Sequence, residues 1–261
     1  MTDFCETRFE VRGAAAWITL ERPREMNAMS ATMLDEILRA LDIAAADDAI
    51  RAVVITGSGD KVFCAGADLK QVLATQPAGE PDFLDRAART FARLRDFPKP
   101  VIAAVNGLAL AGGLELILAC DLVIAADHAR IGDAHANFGV FPGAGGAALL
   151  PKRIGAARAK YLLFTGDQFT AADMMALGLV NQVVPGNELI SAVDALVARL
   201  AGKSPLVLRR MKQVADAALD QPRDAALANE LLTLRNHLRS YDLHEGLAAF
   251  REKRAPRFEG R

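Results

Sequence analysis

An excess of charge of one sign is missing from this chain: 31 basic residues stand against 32 acidic ones, for a net charge of −1. No strong field therefore recruits nucleic acid or an anionic membrane. Aromatic residues are scarce at 6%, so a stacking platform for single-stranded nucleic acid is not expected. Cysteine is scarcer still. Cys5, Cys64 and Cys120 form an odd, sparse set that makes no disulfide framework and points to reduced thiols in a cytoplasmic setting. HExxH and paired CxxC are absent, and His128 and His244 lack ligand spacing, so no metal site is expected. No GxGxxG follows a strand and opens a helix, which excludes a dinucleotide-binding unit. The opening MTDFCETRFE is acidic, with no apolar run of the signal-peptide type. The segment 101–126 is apolar enough to raise the question of a membrane span, but Asn106, Glu115 and Asp121 interrupt it. An acid at mid-bilayer costs roughly 2.5–3.5 kcal/mol on insertion scales. No membrane span is expected.

What is present is ample material for a core: 261 residues, 52% of them hydrophobic. Strand signals lie in RFEVRG, AAAWITLERP, RAVVITG (51–57), PVIAAVNG (100–107) and DLVIAAD (121–127). Helical patterns lie between them: one follows Ser30, an N-cap candidate, and others cover 82–96 and 112–120. Continuous Val/Ile runs alternating with helices argue for parallel strands covered on both faces, so the class is α/β. GVFPGAGG (139–146) reads as a turn feeding the helix AALLPKRIG, not as a phosphate cradle. Beyond Pro205 the β-rich runs cease and 205–220, 222–239 and 242–254 look helical, which sets a boundary near residue 200.

Two stretches carry chemistry. In KPVIAAVNGLALAGGLELILACD (99–121) one carboxylate, Glu115, stands inside an almost wholly apolar segment that ends at Asp121. An ionised carboxylate is costly to bury without partners, and a helix needing only packing would use Leu or Ala. Gly112 and Gly113 precede it, where a turn would open a helix whose free N–H groups favour negative charge. The second stretch is FCAGADLK (63–70), a small-residue loop between a strand signal and a helix-like run. Two separated glycine-bearing turns could supply two N–H donors to one developing oxyanion, roughly 3–4 kcal/mol of transition-state stabilisation each. Cys64, beside that loop, reads as a small buried thiol; the alternative is a nucleophile with His135 as its base.

ERPREMNAMS, VVITGSGDKVFCAGADLK, the 99–121 segment, GVFPGAGGAALLPKRIG, FTGDQFTAADMMALGLVNQVV and DLHEGLAAFREKRAPRF occur in the order found in the crotonase superfamily, the enoyl-CoA hydratase/isomerase family. The chain resembles that family over nearly its whole length. The resemblance implies a spiral of ββα turns over 1–200 that binds acyl-CoA and a helical C-terminal oligomerisation region over 201–261, assembling trimers or paired trimers. It implies that the Ala67 and Gly112 N–H groups hold a thioester oxygen and that Glu115 activates water. It also implies that the loop Ala67–Lys70 (Ala67, Asp68, Leu69, Lys70), with Ala65, borders coenzyme A, with Arg24 and Ala28 nearby. Coenzyme A is then part of the substrate, and no separate cofactor is expected.

One position departs from the family pattern. The second catalytic glutamate of family hydratases falls in IGDAHANFGVFPG, where His135 stands; Asp133 lies two residues away, with no gap to bring it into register. Imidazole titrates near neutrality and can serve as an acid/base partner. The expected activity is reversible hydration of a 2-enoyl-CoA. Isomerisation, hydrolysis, decarboxylation or a weakly catalytic CoA-binding oligomer are the alternatives. Loop 71–82, rich in small residues, Pro and Gly, is expected to be mobile and to help shape the acyl pocket.

Overall fold

The computed structural model describes residues 4–74, 79 and 81–261. The expectation for loop 71–82 therefore rests in part on residues 75–78 and 80, which lie outside the described residues. The chain begins with an antiparallel hairpin, β1 (Thr7–Arg12) and β2 (Ala15–Leu20), followed by helix α1 (Ala31–Ala46). Ser30 caps α1 as its sequence suggests, its Oγ accepting from Met33 N at 3.0 Å.

A unit of two strands and a helical segment then repeats. The first unit is β3 (Ala52–Gly57), β4 (Val62–Cys64), α2 (Leu69–Val72) and α3 (Phe83–Arg95). The second is β5 (Val101–Val105), β6 (Leu108–Leu110) and α4 (Gly112–Leu118). The third is β7 (Leu122–Ala126), β8 (Arg130–Gly132), α5 (Gly146–Ile154) and α6 (Ala156–Thr165). The chain closes the core with β9 (Gln168–Thr170), α7 (Ala171–Ala176), β10 (Gln182–Val184) and α8 (Leu189–Ala201). The first strands of successive units lie side by side in the large sheet, ordered β1-β2-β3-β5-β7-β10. Their second strands, β4, β6 and β8, do the same in a smaller sheet, β4-β6-β8-β9, which β9 of the closing segment joins antiparallel. This repetition in two sheets is a spiral of ββα turns.

The large sheet is parallel from β2 onward. Strands β2, β3 and β5 are buried at every residue, as continuous apolar runs covered on both faces require. Trp17, Phe63, Phe91 and Phe97 fill the widest parts of the core. The last segment contains only helices, α9 (Pro205–Ala218), α10 (Arg223–His237) and α11 (Tyr241–Glu252). Among the described residues no helix is long and apolar enough to cross a membrane.

Candidate active site

The parallel register of β4 and β6 sets the loop after β4 beside the turn that opens α4. Ala111, at that turn, takes φ +50° and ψ −116°. Such a conformation costs a non-glycine residue ~1–3 kcal/mol, so the surrounding packing imposes it. A Cβ on Gly112 would stand 3.3 Å from both Ala67 N and Gly66 Cα. The missing side chain is what lets the two loops meet. Gly112 opens α4, so its N–H has no partner within the helix. Among the described residues, neither it nor the Ala67 N–H donates to a backbone carbonyl elsewhere. Two neighbouring free N–H groups can hold one anionic oxygen. Gly113 matters for packing instead: its Cβ would meet Cys64 O at 2.1 Å, so the bare backbone lets α4 rest directly on the end of β4.

Glu115 lies one turn into α4 and is 4% exposed. Its Oε1 accepts the Ala144 N–H at 2.7 Å and the Gly146 N–H at 2.9 Å. The glycine run 139–146, expected to be a plain turn, is thus also an anion cradle, and the anion is the chain's own carboxylate. Gly146 opens α5, whose helical dipole favours negative charge at that end. With Oε1 held, Oε2 is left for chemistry.

His135 is in a short 3-10 turn, His135–Phe138, with its side chain 11% exposed. The neighbour that sequence reasoning set aside is its partner: Asp133, whose side chain is 1% exposed, meets His135 Nδ1 at 2.9 Å through Oδ2. Burial works against a charged ring. The hydrogen bond and charge of Asp133, joined by the charge of Glu115, outweigh it and hold the His135 pKa above the usual 6.5. A Cβ on Gly146 would lie 3.1 Å from Asp133 Oδ2 and 3.3 Å from Glu115 Oε1, so both carboxylates converge on the space that this glycine leaves.

A cavity of about 190 Å³ brings these groups together: Ala65, Ala67, Leu69, Gly112, Glu115 and His135 all line it. Its far wall is apolar, from Val72, Phe83, Leu84 and Phe91. Four candidates stand outside this lining. Arg24 is exposed on the 3-10 turn Pro23–Glu25, Ala28 is half-buried behind it, and Lys70 is exposed on α2. Asp68 is engaged elsewhere: it caps α2 through Lys70 N at 3.2 Å and pairs with Arg22 at 3.1 Å. The segment carrying Arg24 and Ala28 does run beside the loop, with Ala65 N donating to Met26 O at 3.1 Å. Cys64 is fully buried and outside the cavity lining, and burial pushes its thiol up to about 12; both count against the nucleophile alternative.

A spiral of ββα turns with a carboxylate, an imidazole and a free N–H pair around one cavity defines an acyl-transforming enzyme class. The enoyl-CoA hydratase/isomerase family model matches residues 10–261, and the chain belongs to that family. It is 37% identical over 243 residues to the crotonyl-CoA hydratase of Syntrophomonas wolfei, covering 93% of this chain and 94% of that one. It is similarly 37% identical to the 2,3-dehydroadipyl-CoA hydratase of Escherichia coli, covering 94% of each chain. The crystal structure of an enoyl-CoA hydratase from Bacillus anthracis superposes with a TM-score of 0.91 at 34% identity, covering 98% of this chain and all of that one.

Proposed function

We propose that this chain adds water reversibly to a 2-enoyl-CoA thioester, which makes it a carbon–oxygen lyase. One observation carries the reading: Glu115 and His135 line the same cavity as the Ala67 and Gly112 backbone. Hydration needs two proton-handling groups beside the place where the thioester oxygen gains charge. Glu115 takes a proton from water as the water oxygen bonds to the β-carbon. The double-bond electrons move onto the thioester oxygen, where the two N–H groups hold the enolate. His135, as imidazolium, then delivers a proton to the α-carbon. A proton passing back from Glu115 to His135 resets the site.

The apolar wall formed by Val72, Phe83, Leu84 and Phe91 fits an uncharged acyl group. Ala28, Ala65, Asp68 and Leu69 border the coenzyme A portion, with Arg24 and Lys70 available to its phosphates. Coenzyme A enters and leaves as part of the substrate. Residues 1–200 form the acyl-CoA-binding core, and residues 201–261 join subunits into a trimer or a pair of trimers. Support for the second role comes from Leu227, Leu231 and Leu234, 48–58% exposed along one stripe of α10. The free cysteines fit a reducing, cytoplasmic compartment.

The test is loss of the conjugated enoyl-thioester absorbance of crotonyl-CoA, with wild type and Glu115→Gln in parallel. The glutamine side chain keeps an oxygen for the Ala144 and Gly146 N–H groups but is no base. Turnover should therefore fall by about 10²–10⁴-fold while the fold persists. Unchanged turnover in the variant, or none in the wild type with binding retained, refutes the reading.

A further inference from the structure

Asp133 does not line the cavity, yet its carboxylate is buried behind the one imidazole that does. Alternating residues of an extended strand share a face but stand about 7 Å apart. The intervening Ala134 takes a left-handed φ of +61°, which folds the chain so that the two side chains touch. An alanine adopts such a conformation only at a cost, so a specific contact compensates for it. Both Asp133 oxygens are used: Oδ1 accepts the His135 backbone N–H at 3.1 Å, and Oδ2 meets ring Nδ1 at 2.9 Å.

We propose that Asp133 is a positioning residue which fixes the proton of His135 on Nδ1, so that proton exchange with the substrate runs through Nε2. The inference rests on the hydratase reading for its catalytic consequence, though not for the tautomer itself. An ionised carboxylate can only accept, so Nδ1 must carry the hydrogen whether the ring is neutral or charged. Nε2 is then the sole nitrogen free to lose or gain a proton, and the ring orientation is set from behind. This is the division of labour in a carboxylate–imidazole pair, where the acid orients the ring and stabilises the imidazolium without itself becoming protonated. Among the described residues, the charged groups that act on this ring are Asp133 and Glu115.

Asp133→Asn isolates the effect. Its Oδ1 still accepts the His135 backbone N–H, which preserves the turn. Its amide nitrogen then faces Nδ1 as a donor, so the neutral ring must carry its proton on Nε2. Solid-state NMR of [15N]histidine-labelled protein reads the tautomer directly, with His135→Ala assigning the signal among four histidines. Wild type is expected to be protonated on Nδ1 at high pH, and Asp133→Asn on Nε2. Crotonyl-CoA hydration by the variant should fall about 100-fold in kcat. Because the hydration direction uses the imidazolium, its rate is lost as pH rises through the His135 pKa, and removing the Asp133 charge should shift that limb to lower pH.

An Nε2 proton in the wild-type neutral ring overturns the proposal, even if Asp133→Asn fails to fold. So does Asp133→Asn with an inverted tautomer but wild-type kcat and pH limb. Full turnover in His135→Ala refutes the part given to His135 in hydration and removes the catalytic role of Asp133 with it. In that case an Nδ1 proton in the wild type would still establish the pair as built, which separates the two failures.

Discussion

Replacing Gly112 with alanine adds one methyl group at the meeting point of the two loops. Its carbon would stand 2.7 Å from Met29 Cε, 3.3 Å from Ala67 N and 3.3 Å from Gly66 Cα. The first contact is with the tip of a flexible side chain, which can swing away. The other two are backbone, and the methyl would sit against the Ala67 N–H where a thioester oxygen must approach. Gly112 has no positive φ, so alanine is allowed there and carries no backbone strain. The substitution should therefore leave the fold intact and remove most of one oxyanion donor. Loss of such a donor costs about 10²–10³ in kcat. Gly113→Ala is the control, because its methyl would meet Cys64 O at 2.1 Å and force backbone to move. Crotonyl-CoA hydration and thermal unfolding should separate the two variants: Gly112→Ala loses kcat at near-native Tm, whereas Gly113→Ala loses Tm. A Gly112→Ala enzyme with wild-type kcat would refute the role assigned to that N–H pair.

Thiol accessibility gives a second check. Cys5 is exposed while Cys64 and Cys120 are buried, so an aromatic disulfide reagent at pH 8 should titrate one thiol in native protein and three in denaturant. A second fast native thiol would reopen Cys64 as a nucleophile. Assembly gives a third: sedimentation should report trimers or hexamers, and Leu231→Arg, placing a charge in the exposed α10 stripe, should dissociate them. A monomeric wild type would refute the role given to residues 201–261.

Five strands of the large sheet, β1, β2, β3, β5 and β7, and the helices α1, α3, α4 and α5 were legible because each announces itself locally, whereas β10 and α6 to α8 were not read from the sequence. Ser30 and the apolar run behind it predict α1, and the fully buried strands read as unbroken Val/Ile/Ala segments. The small sheet was not legible, since its three-residue strands are too short to show a period. Glu115 stood out because nothing polar surrounds it in sequence. Glu36 and Asp242, also buried acids, did not. Glu36 lies on amphipathic α1, where an acid passes for an outward residue, yet it accepts the Cys5 N–H at 2.7 Å and the Thr7 N–H at 2.8 Å. Asp242 opens α11 and receives the Glu259 N–H at 2.8 Å from the returning tail. Each is satisfied by distant backbone, so burial of an acid is not by itself the mark of a site. The Asp133–His135 contact was hidden for another reason. It depends on a left-handed alanine, and only glycine or asparagine would have signalled that turn.

The cradle of Glu115 has one more consequence. The two hydrogen bonds that orient this carboxylate come from backbone amides, Ala144 in the loop preceding α5 and Gly146 at its first residue, not from side chains. The same loop presents Val140 and Phe141 to the cavity. Side chains on it can therefore change to admit a longer, bulkier or differently shaped acyl group while the base keeps its place. On the proposed reading, proton transfer and acyl recognition draw on different atoms of one stretch of chain, so the acyl pocket can be respecified while Glu115 keeps its hydrogen bonds.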